Sequence, residues 1–311
     1  MRNPQNSARR SGPQADVRLN RFTRPTIVTI AIRFTSAPSA PAASTQTEMT
    51  VARTLSRQLK LIHTSDVHLE SDTFGSGPKG DIFRHSVRRA FSGVIDVAND
   101  NRADLLLIVG DLFDSNRISV EALDFAMNQI ARAQMPVAMI PGNHDAHDER
   151  SIYAAVSPAS LPRNLHLILD PEGVSLEFPE LAAHVWGRAL VEHSPEYRPL
   201  SGLPEPLPHA WNIGLAHGFF TESETNRSSP ITPAEIEASG FDYIALGHIH
   251  VFGDVSQGRT RAFYCGTPAP LYASSEAGWV LQINCVPGES VRVERLLVGG
   301  SVFAADGLDS R

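Results

Sequence analysis

Cysteine is nearly absent from the 311 residues: there are two, Cys265 and Cys285, and no CxxC pair. That scarcity excludes a disulfide framework or a thiolate metal site and makes a reducing compartment, the cytoplasm, the expected setting. Each cysteine falls in an apolar, strand-like run, where core packing is its ordinary role. Long hydrophobic stretches are missing too. None approaches the roughly 18 residues that a membrane-spanning helix needs, so no membrane association is expected. Basic charge is unevenly placed. Nine of the 27 Lys and Arg, but only two of the 34 Asp and Glu (Asp16 and Glu48), lie in residues 1–57, leaving 18 basic against 32 acidic side chains beyond them. A body that acidic is poorly suited to gripping nucleic acid by charge alone and well suited to concentrating cations.

What is present divides at about residue 58. Residues 1–57 are rich in Arg, Ser, Ala, Pro and Thr, and the stretch Thr35–Thr47 is low in complexity and cannot bury a core. This segment is expected to be a disordered leader, or an over-extended start with the protein beginning at Met49. An Arg-rich organelle transit peptide is a third reading. A lone strand is conceivable over Thr26–Ile32. Residues 58–300 are expected to form one domain, with 301–311 as a tail.

Within that domain the first half alternates strands and helices. Apolar spacings of three and four predict helices over 81–98 and 119–133. "DLLLIVGD" reads as a strand covered on both faces. The second half is strand-rich: strands are expected near 165–169, 174–178, 183–187, 211–216, 242–246, 261–266, 278–284 and 290–297, with one helix over 233–239. There is no internal repeat. The expected fold class is α/β, two packed sheets, the first partly parallel.

Polar residues gather at the C-terminal ends of these strands: Asp66 and His68, Asp111, the run Asn143-His144-Asp145, His217, and His248 with His250. Ligands bind at that edge in open α/β sheets. Alternation along an extended chain would put His248 and His250 on one face. The glycines at 110, 142, 218 and 247 read as places where the backbone turns sharply beside a ligand. Imidazole and carboxylate without thiolate suit manganese, iron or zinc. Seven ligands exceed the needs of one ion and fit two ions bridged by a shared carboxylate. Any single fragment is weak evidence, since a lone strand-end histidine is ordinarily a hydrogen-bonded surface residue. Five in order, each at a strand end, are specific.

The segments "DVHLE", "GDLFD", "GNHD", "AHG" and "GHIH" resemble the signature of the calcineurin-like metallophosphoesterases over roughly residues 58–285. The resemblance implies a β-sandwich flanked by helices with a dinuclear metal site at the C-terminal strand ends. It implies two divalent ions, manganese first and iron or zinc as alternatives. Carried over, Asp66, His68 and His250 hold the first metal, Asn143, His217 and His248 the second, and Asp111 bridges them. His144 matches the family's non-ligand catalytic histidine, with Asp145 as its expected orienting partner. The implied reaction is hydrolysis of a phosphoester by a metal-bridged hydroxide attacking in line.

"LIHTSDVHL", "GDLFDSNRIS", "IPGNHD" and "YCGTPAP" are most similar to the SbcD-type DNA repair exonucleases. That group implies a DNA substrate and an ATPase partner subunit. Two features resist it: the acidic body, and the roughly sixty residues after His250, which are short of the capping and docking segments of such nucleases. A stand-alone phosphodiesterase or phosphatase acting on a small substrate such as a cyclic nucleotide is the alternative, and a non-catalytic protein-binding platform is a third reading. Arg84, Arg117, His147 and Arg150 follow motif segments but read as solvated surface residues. His63 reads as core or as a residue behind the ligands. His85, His166, His184, His193 and His209 have no patterned partner.

Overall fold

The computed structural model describes residues 57–223, 227–269 and 278–299. The leader, the Thr26–Ile32 segment, the end of "YCGTPAP" and the 301–311 tail lie outside the described residues. The first half alternates as expected: β1 (Leu59–Thr64), α1 (Pro78–Asp100), β2 (Leu105–Val109), α2 (Val120–Arg132), β3 (Val137–Ile140), the single turn α3 (Ile152–Ala155) and β4 (Leu165–Leu167). The second half holds β5 (Val174–Phe178), β6 (Ala183–Gly187), β7 (Trp211–His217), the short pair β8 (Phe219–Phe220) and β9 (Pro230–Ile231), and α4 (Pro233–Ser239). It continues with β10 (Tyr243–Gly247), β11 (Phe252–Asp254), β12 (Arg261–Cys265), β13 (Trp279–Cys285) and β14 (Arg292–Leu297).

Two six-stranded sheets result. One runs in the order β14-β13-β1-β2-β3-β4, parallel from β1 to β4 and antiparallel where β13 and β14 join. The other runs β11-β12-β10-β7-β6-β5, with a parallel centre of β12, β10, β7 and β6 and antiparallel edges. The expected two-sheet α/β architecture is observed.

Strand β2 shows why the sheets stack. Its five residues are all buried, because Leu105, Leu107 and Val109 face the second sheet while Leu106 and Ile108 face the helices. Between the sheets, those residues meet Val185, Ile213, Leu215, Tyr243, Ala245 and Phe263. On the outer face of the first sheet, Val87, Phe91 and Val94 of α1 and Met127 and Ile130 of α2 cover Ile62, Leu106 and Ile108. On the outer face of the second, Ile236 and Phe241 cover Ile244, Leu246 and Ala262. The layers are therefore helix, sheet, sheet, helix, each sheet sandwiched between apolar faces. Both cysteines are free and buried, as their apolar surroundings predicted. Among the described residues no helix is long and apolar enough to cross a membrane.

Because β1, β2 and β3 run parallel in one sheet and β7 and β10 in the other, five C-terminal strand ends come together along one edge of the sandwich. The loops there are zipped to each other beyond the sheet: Asp66 N donates to Gly110 O at 3.1 Å, His68 N to Asp111 O at 3.0 Å and Leu69 N to Leu112 O at 2.9 Å.

Candidate metal centre

All seven expected ligands and His144 meet at that edge. Asp66, His68, Asp111 and His217 are buried, His248 and His250 are partly buried, and the His144 side chain is 41% exposed. Two sets of donor atoms can be distinguished. In the first, His68 Nε2 lies 3.3 Å from His250 Nε2, which is 3.5 Å from Asp66 Oδ1. In the second, Asn143 Oδ1 lies 3.0 Å from His217 Nε2 and 2.8 Å from His248 Nδ1. Asp111 stands between them, its Oδ2 3.7 Å from His68 Nε2 and 3.4 Å from His217 Nε2. Asp66, His68 and His250 offer atoms all within 4.8 Å of one another, as do Asp66, Asp111 and His217.

The backbone is bent to achieve this. Asp66, His68, Asp111 and His248 all take left-handed conformations, with φ of 53°, 54°, 52° and 101°. Non-glycine residues in that region cost about 1–3 kcal/mol each and persist where surrounding structure over-determines them. Here the reading of "GHIH" is corrected. Strand β10 ends at Gly247, so His248 and His250 do not share a strand face; the bend at His248 sends one ring to Asn143 and the other to His68. Nor is Gly247 the turn, since its φ is not positive. It is there for room, because a Cβ on it would sit 2.0 Å from Val109 O.

Residues behind the ligands aim them. His68 Nδ1 donates to Asp114 Oδ1 at 2.8 Å and His217 Nδ1 donates to Val109 O at 2.9 Å, so both rings keep Nε2 for the centre. His248 N donates to both carboxylate oxygens of Asp66 at 3.1 Å, and the Ser65 hydroxyl also donates to Asp66. His144 N donates to Asp111 Oδ1 at 2.8 Å, while its Nδ1 donates to Asp114 O at 2.9 Å and its ring lies edge-on to His68, centroids 4.6 Å apart.

Asp145 does not orient His144. It is fully buried and accepts from Gly142 N at 2.7 Å, Asp111 N and Phe113 N at 3.2 Å, and the Tyr153 hydroxyl at 2.5 Å. It thus ties the Asp111 loop to the Asn143–His144 loop, and the orienting role falls to Asp114. Asp114 stands in "GDLFD", three residues past Asp111, and that spacing is its only sequence signal. Tyr153 carries none.

Electrostatics fits a cation site. Burial penalises the Asp111 carboxylate, yet the imidazoles of His217 and His68 hold it well below the usual carboxylate range. Burial likewise disfavours charging His217, but the charge and hydrogen bonding of Asp111, followed by the charge of Asp66, push it up to about 9. His68 is raised against its own burial by its hydrogen bond to Asp114 and by Asp111 and Asp66. Burial, then His217 and His193, press His248 down to about 3. Buried carboxylates need compensating charge, and here protonated imidazoles supply it where divalent ions could. The donors are four imidazoles, two carboxylates and an amide oxygen, which is the chemistry of manganese, iron or zinc sites.

Other sequence candidates lie elsewhere. Arg84 pairs with Asp81 at 2.6 Å and Asp72 at 3.9 Å, and Arg117 and Arg150 are exposed. His147 Nδ1 lies 3.3 Å from Ser151 Oγ, and His184 is buried against Asn212 and Ser175. His63 is fully buried with Nδ1 2.9 Å from the Tyr243 hydroxyl, a core residue. His193 is the exception, with its ring 5.1 Å from that of His248.

Comparison with known proteins agrees with this geometry. The family model for calcineurin-like phosphoesterase matches residues 59–252, which include every strand end of the centre. The uncharacterized metallophosphoesterase YhaO of Bacillus subtilis is 33% identical over 62% of this chain and 48% of its own length. The DNA double-strand break repair protein Mre11 of Methanopyrus kandleri is 25% identical over 73% of this chain and 51% of its own. The SbcD subunit of the SbcCD nuclease of Bacillus subtilis is 24% identical over 77% of this chain and 70% of its own. The chain thus spans about half the length of the first two relatives. Among solved structures, the purple acid phosphatase PPD1 of yellow lupin superposes with a TM-score of 0.50 at 13% identity, over 80% of this chain and 53% of that one, a likeness of fold. Motif loops, sandwich and family match coincide over the same residues, and the chain belongs to the calcineurin-like phosphoesterase family.

Proposed function

We propose that the protein is a phosphodiesterase with two divalent ions, manganese first, and that its substrate is DNA, cleaved as a repair nuclease would cleave it. The observation that carries the two-ion reading is the position of Asp111 Oδ2 between His68 Nε2 and His217 Nε2, with a separate donor set on either side. Asp66, His68 and His250 would hold one ion and Asn143, His217 and His248 the other, with Asp111 shared. Bound ions of this kind supply Lewis-acid charge for phosphoryl oxygens and an acidified water as nucleophile.

The chain's own residues do the rest. His144 is the one exposed ring among the expected site residues, and with Nδ1 donating to Asp114 O its Nε2 is directed outward. From there it stabilises charge on the phosphoryl group or passes a proton to the leaving oxygen. The Asp114 carboxylate, 3.8 Å from His144 Nδ1, keeps the ring's cationic character available. His144 also falls within 4.8 Å of donor atoms on His68 and Asp111, which would admit it as a ligand. Its carbonyl-anchored Nδ1 and its exposure favour the substrate role.

Support for DNA comes from the relatives named as Mre11 and as the SbcD subunit of a nuclease; the latter name also supports an ATPase partner subunit. The acidic body favours a second reading, hydrolysis of a small phosphodiester or phosphomonoester. Manganese-loaded protein should be assayed on single- and double-stranded DNA beside cyclic nucleotides and a phosphomonoester. DNA cleavage is expected. Brisk turnover of small esters with DNA left intact would select the second reading, and bound metal without any hydrolysis would favour a binding platform.

A further inference from the structure

One imidazole at the centre has no place among ligands or in the role given to His144. His193 lies in the long connection between β6 and β7. Its ring is exposed and lies 5.1 Å from the His248 ring, at 54° to it. His144 sits against His68 of the first donor set, so His193 occupies the corresponding place against the second.

The ring is held from behind. Its Nδ1 is 3.0 Å from Ser229 Oγ. Ser229 is fully buried with φ of 50°, its N donates to Ser194 O at 2.7 Å, and its carbonyl accepts from Phe219 N at 2.9 Å. Gly218, next to the ligand His217, leaves just enough space, since a Cβ there would meet Ser229 O at 2.2 Å. The connection itself is braced: His147 N donates to Leu190 O at 2.8 Å, the Tyr197 hydroxyl to Ala189 O at 2.8 Å, and Arg188 to the carbonyls of Arg198 and Ser201. An exposed ring on so fixed a support is oriented for contact. A serine hydroxyl donating to Nδ1 leaves the proton on Nε2, which makes that atom a donor.

We propose that His193 is a substrate-positioning residue whose Nε2–H donates to a non-bridging phosphoryl oxygen on the His217–His248 side of the centre. The phosphoester is then held between two imidazoles, His144 toward the first donor set and His193 toward the second. This rests on the phosphoesterase reading above.

The test separates the two. Metal-loaded wild type and His193→Ala are compared for metal content, for affinity toward inorganic phosphate by calorimetry, and for kcat and KM on a generic phosphodiester. The variant should keep the wild-type metal content and bind phosphate about tenfold or more weakly, the weight of one hydrogen bond to a charged group. His193→Gln, which retains a donor near the same place, should recover most of that loss, and Ser229→Ala should show a smaller loss of the same sign. Loss of metal from His193→Ala would make the ring a ligand and overturn the proposal. Unchanged phosphate affinity, or a wild type that binds no phosphate, would overturn it too. Weakened phosphate binding with no ester turnover by the wild type would instead uphold His193 and remove the phosphoesterase reading.

Discussion

At the scale of single residues, the centre separates groups that build it from the one that acts on the substrate. Asp111 touches both donor sets, so Asp111→Ala should abolish binding of both ions, read by metal analysis after dialysis. His144→Ala should keep both ions and lower kcat by at least about a hundredfold, the usual weight of a positioned proton donor or acceptor. Loss of one ion in that variant would make His144 a ligand. The raised His217 yields a pH prediction. In the metal-free protein its folded pKa of about 9 lies above the ordinary 6.5, against burial and because of Asp111. The stabilisation from that proton is therefore complete below about 6.5 and is lost as pH climbs through about 9. Metal-free protein should accordingly melt at a lower temperature at pH 9.5 than at pH 6.5. An ion must displace the same proton, so metal affinity should rise by up to about tenfold per pH unit until it levels off near 9. A pH-independent affinity would show that His217 is neutral before the ion arrives.

At the scale of elements, much of the architecture was legible and the reasons are physical. The spans 174–178, 183–187 and 233–239 are observed as expected. Strands such as β2 are buried on both faces, so their apolar runs are unbroken and their ends marked by the first polar residue. The residues of the centre were legible for a related reason: each lies within a few positions of such an end. What escaped is tertiary. The left-handed backbone at His248 has no sequence signal, and the glycine before it misleads because close approach and turning look alike in a sequence. Asp145 is visible in the motif while its role is not, since nothing local reveals that its carboxylate faces inward to three backbone N–H groups and Tyr153. His193 comes from an irregular connection without periodicity. The Asp145 hub also makes a prediction for α3, whose chief task is to deliver the Tyr153 hydroxyl. Tyr153→Phe leaves a buried carboxylate short of one donor and should cost about 1–3 kcal/mol of stability. Chemical denaturation would show this as a lower midpoint with unchanged slope. A midpoint equal to wild type would mean that the backbone donors alone satisfy Asp145.

At the scale of the whole molecule, charge and proposed substrate pull in opposite directions. Beyond residue 57 the chain carries 32 acidic against 18 basic side chains, and its long-range field repels a polyanion. A DNA-cleaving protein of this kind must hold its substrate at the centre itself, through bound cations and the rings beside them, instead of through a basic surface. Two consequences can be measured together by fluorescence anisotropy with a labelled oligonucleotide. Chelation of the divalent ions should remove DNA binding, where a protein relying on Lys and Arg would retain it. In the loaded protein, the logarithm of affinity should fall with the logarithm of salt at a slope no steeper than about −3, since each phosphate neutralised by a basic side chain contributes roughly −0.7 to −0.9. A slope near about −6 that survived chelation would place the DNA on basic residues away from the centre, with the Arg-rich first 57 residues the first segment to delete. The small-ester reading would then gain the centre for itself, because DNA binding and the metal chemistry would have come apart.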